Sequence, residues 1–99
     1  MDRRRQLIEQ AWIGDAVLSL YVRLKVLRED QAIDGAKSAR MTSNQFLGTF
    51  GEPTEVEAQI GRVYASGGLD EAFAWIEREF GPAFDRQQQR QGQRQAVQR

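Results

Sequence analysis

Between Leu7 and Leu27, apolar side chains recur so densely that the helix they imply has almost no polar face. Leu7, Ile8, Ala11, Trp12, Ile13, Val17, Leu18, Leu20, Tyr21, Leu24 and Leu27 point in nearly every direction around one axis, most of all toward its middle. A helix that is apolar all round has to be enclosed by other helices or by a partner subunit. Asp2 stands where an N-cap belongs, and the pattern stops near 28–30.

The rest of the chain repeats the helical period. A second helix is expected over about 35–49, with Ala36, Ala39, Ser43, Phe46, Leu47 and Phe50 inward. Gly51 and Pro53 mark a break and a new start. A third helix follows over about 53–65, where Val56, Ile60, Val63 and Tyr64 form a buried stripe. Ser66, Gly67 and Gly68 stop it. A fourth begins near 69 and turns Leu69, Ala72, Phe73, Ile76 and Phe80 to one side, and Pro82 is expected to end or kink it. Nothing alternates with period two for long enough to make a strand. The expectation is an all-α, compact four-helix domain over 1–85. The segment 86–99 is rich in Gln and Arg, has almost no apolar content, and is expected to be a frayed helix end or a disordered tail.

Several chemistries are excluded by composition. The sequence contains neither cysteine nor histidine, so disulfides, thiolate or imidazole metal sites, and His-based triads are all impossible. A metal ion would have to be held by oxygen, which favours magnesium, manganese or calcium. Basic and acidic residues balance at 14 each, whereas nucleic-acid binders usually carry a basic excess. The arginines are nonetheless clustered at Arg3–Arg5 and again at Arg86, Arg90, Arg94 and Arg99. No signal peptide and no run of transmembrane length is visible. A cytoplasmic protein without membrane contact is the expectation.

Most acids have an ordinary explanation. Asp2, Glu52 and Asp70 fall at helix starts, where they cap or oppose the dipole. Asp15 is different. It sits inside the apolar helix, directly after Gly14, and burial of an unpaired carboxylate there would cost several kcal/mol. It is therefore expected to have a partner: an arginine, backbone donors or a metal ion. Glu57 sits at the edge of the third helix's stripe, four residues before Gly61. Each acid thus lies beside a glycine that leaves room for something to approach. A structural ion pair, for example with Arg40 or Arg62, and a metal site are both open on these grounds.

Both neighbourhoods resemble the ribonuclease III family. "AWIGDAVLSLYVR" (11–23) is similar to its signature helix, Leu-Glu-Phe-Leu-Gly-Asp-Ala-Val-Leu, and more so to the Mini-III branch, with Ala-Tyr-Leu-Gly-Asp-Ala-Val and often Tyr-Val-Arg after it. "VEAQIGRVYASGGLDEAF" (56–73) resembles the family's later acidic motif and shares Glu57, Ala58, Ile60, Gly61, Tyr64, Gly67, Gly68 and Leu69 with it. The resemblance covers roughly 6–80, in the right order, with a weakly matched middle. It implies a homodimer that hydrolyses phosphodiesters of double-stranded RNA with magnesium, or manganese in its place. Asp15 and Glu57 would be the catalytic, metal-holding carboxylates. Where many members carry further acids, this chain has Ala11 and Thr54, as in the Mini-III pattern; Thr54 is an accessory candidate. A weaker match through "KSARMTSN" (37–44) makes Asp34 a second one. Arg23, Lys37 and Arg40 are candidate RNA contacts. The segment between the two motifs is shorter than in the family. A catalytically impaired ribonuclease III-like module that binds RNA or protein is therefore the alternative, and a helical assembly dimer unrelated to RNA is a third reading.

Overall fold

A computed structural model describes residues 2–97, with side chains as far as residue 90. All regular structure among the described residues is helical. Helix α1 spans Arg3–Asp30, α2 Gly35–Met41, α3 Asn44–Leu47 and α4 Pro53–Val97. No helix among the described residues is long and apolar enough to cross a membrane.

Local chemistry sets the boundaries. The Asp2 carboxylate accepts the N–H groups of Arg4 and Arg5 at 3.0 and 3.3 Å and so starts α1. Gln31, in the left-handed region at φ 55°, closes it by donating its N–H to the Leu27 carbonyl. Asp34 caps α2 by accepting the Lys37 N–H. The single helix expected over 35–49 is two short ones instead. Ser43 accepts the Phe46 N–H and donates to the Arg40 carbonyl, while Thr42 donates to the Ser38 carbonyl. Such side-chain bonds offer the backbone an alternative to continuing the helix.

The third and fourth expected helices are the two arms of α4. They meet at Gly68, whose φ of 82° and ψ of −175° are not helical. Glycine adopts this conformation without the steric cost a side chain would bring. The helix does not end at Pro82. An interior proline costs about 3 kcal/mol, but Phe80, Ala83 and Phe84 on either side are buried and hold the second arm together. The Gln/Arg-rich segment follows on as helical backbone to Val97. Its start is tied down, because Gln87 donates its side-chain amide to the Arg40 carbonyl at 3.0 Å.

The core lies where α1 meets both arms of α4. Leu18, Val22, Val26, Met41, Leu47, Ile60, Ile76, Phe80 and Phe84 are fully buried. Phe46 stacks on Phe84 with centroids 4.9 Å apart, and Tyr21 meets the edge of Phe73 at 5.4 Å. The Tyr21 hydroxyl donates to the Glu77 carboxylate. Lys25 is 5% exposed and satisfies its ammonium on Glu29, one turn on, at 2.7 Å. The enclosure expected for α1 is one-sided. Ala11, Gly14, Val17, Leu18, Tyr21 and Val22 face α4, whereas Ile8, Trp12, Ile13, Leu20, Leu24 and Leu27 remain open, Trp12 at 76% exposure. The inward stripe of α2 is likewise thinner than expected, with Ala36 and Ala39 exposed.

Candidate functional site

Helix α1 and the first arm of α4 cross with their backbones in contact. A Cβ placed on Gly14 would overlap the carbonyl of Glu57, and one placed on Gly61 would overlap the carbonyl of Gln10. These two glycines therefore set the separation of the helices. The room that glycine leaves beside each acid is filled by the backbone of the opposite helix.

The crossing brings the two acids together. Asp15 follows Gly14, and Glu57 is the residue whose carbonyl Gly14 touches. Their carboxyl groups come within hydrogen-bonding reach. Burial, that hydrogen bond, and the negative charges of Asp15 and Glu52 push the Glu57 carboxyl up to about 7. Near neutral pH the Glu57 carboxyl thus keeps its proton for part of the time.

Asp15 itself is exposed and Glu57 is half-buried, so the fully buried carboxylate expected on α1 is not found. The sequence is apolar on both sides of Asp15, but the fold covers only one of them. Neither acid forms an ion pair with a lysine or arginine among the described residues. Arg62 is turned to Gln10, donating to its side-chain oxygen at 3.1 Å.

The other candidates are occupied differently. Thr54 and Glu55 hydrogen-bond to Glu52, chiefly through their backbone N–H groups, which holds the Glu52 carboxyl below the usual carboxylate range. Asp34 is the cap of α2. Lys37 is bound to both carboxylate oxygens of Asp30, at 3.0 and 2.9 Å. The carbonyl of Arg40 accepts from Ser43 and Gln87, and Arg40 and Arg23 form no ion pair among the described residues.

A cavity of about 670 Å³ opens between α1 and α2, lined by Ser19, Arg23, Asp34, Ser38 and Thr42 together with the buried Val26 and the exposed Leu27 and Ile33. Asp15, Ser19 and Arg23 follow one another at i, i+4 and i+8 on α1, so the carboxylate pair and this cavity share one strip of the helix. Ser19, which no sequence motif singles out, lies on this strip four residues after Asp15 and lines the cavity.

The pair is a donor set of hard oxygens, the type that suits magnesium or manganese. Groups of three or more acidic side chains able to hold a metal are absent among the described residues. Comparison with protein-family models, with curated proteins and with solved structures found no match.

Proposed function

We propose that the protein is a magnesium-dependent endoribonuclease that acts on double-stranded RNA as a homodimer, in the manner of the ribonuclease III family its two motifs resemble. The observation that carries this reading is the close approach of Asp15 and Glu57 at a glycine crossing, where neither acid forms an ion pair with a lysine or arginine among the described residues. Two carboxylates placed together at this cost call for a cation between them.

Asp15 and Glu57 would hold the ion, and water or a phosphate oxygen would complete its shell, as magnesium ordinarily prefers. When bound, magnesium supplies an activated water and neutralises charge on the phosphate under attack. Glu57 gives up its proton as the ion is taken up, so the site becomes competent as pH rises toward and past 7. Arg23, two turns along α1 from Asp15, would steady the phosphate backbone. Manganese fits the same oxygens.

The open face of α1 supports self-association. Ile8, Trp12, Leu20 and Leu27 form an exposed apolar strip of the kind that marks an interface. A two-fold through it would set two carboxylate pairs on one assembly, one for each strand.

The test is incubation of the protein with long duplex RNA and magnesium, beside Asp15→Asn and Glu57→Gln. The reading expects cleavage by the wild type and a loss of at least about a hundredfold in both variants. Duplex binding without cleavage at any magnesium or manganese concentration would instead select the catalytically impaired module.

A further inference from the structure

The last fourteen residues carry four arginines, seven glutamines and no acid. Because the whole chain is neutral, this segment is the basic pole of an otherwise acidic molecule. Its arginines are spaced by four: Arg86, Arg90 and Arg94. On a helix that spacing makes a nearly straight row with a rise of about 6 Å per step. The backbone is helical across all three positions.

The described part of the row is held firmly and left open. Ala83 and Phe84 sit in the core immediately before it, and the Gln87 side chain is anchored on the Arg40 carbonyl. Arg86 and Arg90 are exposed and form no ion pair among the described residues. In contrast, Arg5, Lys25, Lys37 and Arg78 each lie against a carboxylate.

We propose that this row, beginning at Arg86 and Arg90, is an arm that contacts the phosphates of duplex RNA at a place separate from the Asp15–Glu57 pair. The proposal rests on the reading of the protein as one that acts on duplex RNA. The chemistry of the segment selects the partner. Guanidinium groups bind phosphate oxygens two bonds at a time, and the row uses arginine and no lysine. Glutamine amides add donors and acceptors that suit phosphate and ribose hydroxyl oxygens. From Asp85 to Gln95 there is no apolar residue to enter a lipid layer or to pack in a protein groove. Because the arm leaves the core as a helix, its first turns bind without first having to be ordered.

The test compares the full chain with the triple variant R86Q/R90Q/R94Q and the charge-retaining R86K/R90K/R94K. Each is titrated with a long RNA duplex in EDTA over a range of potassium chloride, and with vesicles containing phosphatidylserine. Glutamine and lysine keep the helix propensity of arginine, which circular dichroism verifies. The expected result is that the glutamine variant loses about tenfold or more in duplex affinity. The slope of log affinity against log salt should fall by about 2 to 3 in the same variant, while the lysine variant keeps that slope. Equal affinity and equal slope in wild type and glutamine variant overturn the arm and leave the nuclease reading intact. Arm-dependent vesicle binding with unchanged RNA binding overturns it too. A wild type that binds no duplex at any salt overturns both readings.

Discussion

The carboxyl groups of Asp15 and Glu57 meet across a crossing at which Gly14 lies against the Glu57 carbonyl and Gly61 against the Gln10 carbonyl. The site and the packing of α1 on α4 are therefore one structure. Any change in the distance between these helices changes the distance between the acids.

The raised Glu57 carboxyl makes stability fall as pH rises. Its folded value of about 7 lies above the ordinary 4.5. Between those values the native state binds more protons than the unfolded chain, so the contribution is fully present below about 4.5 and is lost as pH passes through about 7. The loss is expected to be about 1–2 kcal/mol, reduced from the full shift because the carboxyl is accessible to solvent. Urea midpoints of the metal-free protein between pH 5 and 8.5 should show this decline. In Asp15→Asn the decline should shrink, and an unaltered slope in that variant would separate Glu57 from Asp15.

Gly14→Ala and Gly61→Ala should each destabilise the fold by about 1–3 kcal/mol, because the added methyl meets backbone, which cannot rotate aside. Gly35→Ala, where a Cβ has open space around it, is the control and should lie within about 0.5 kcal/mol of wild type. Chemical denaturation of the three variants decides the matter. Equal stabilities would mean that the crossing is looser than described.

Tyr21 joins the core to the second arm of α4 through its ring contacts with Phe73 and Phe84 and its hydroxyl bond to Glu77. Tyr21→Phe keeps the rings and removes only the bond, at an expected cost of about 1 kcal/mol. Phe84→Ala empties part of the aromatic cluster and should cost about 3–5 kcal/mol. Thermal melts that rank the two variants in the opposite order would contradict this account of the core.

If the open strip of α1 is a subunit interface, Trp12→Glu places a charge in its middle. Sedimentation equilibrium at micromolar concentration should then give a dimer for the wild type and a monomer for the variant. A monomeric wild type would remove the two-strand arrangement from the proposed function.

Much of this was legible in the sequence, for physical reasons that can be named. Asp2 and Pro53 act through local chemistry, and each starts a helix where that chemistry predicts. The surroundings of Asp15 were misleading because periodicity reports which residues are apolar, not which side of a helix finds a partner; Trp12 and Leu20 are apolar and open. The passage of α4 through Pro82 was not legible either. It depends on Phe80 and Phe84 meeting Phe46, which is distant in sequence. The division of 35–49 came from Ser43, whose hydroxyl serves two backbone groups at once. The proximity of Asp15 and Glu57, 42 residues apart, was suggested by their matching glycine settings and by the resemblance of both neighbourhoods to the ribonuclease III motifs.

The central claim is that Asp15 and Glu57 together hold a divalent cation, and titration calorimetry with magnesium at pH 7 tests it most directly. Run in two buffers of different ionisation enthalpy, the wild type should bind one ion per chain and release a fraction of a proton, the one held by Glu57. Asp15→Asn and Glu57→Gln should each abolish the binding while remaining folded. Absence of binding by the wild type to magnesium and to manganese, or binding that both variants retain, would contradict the account.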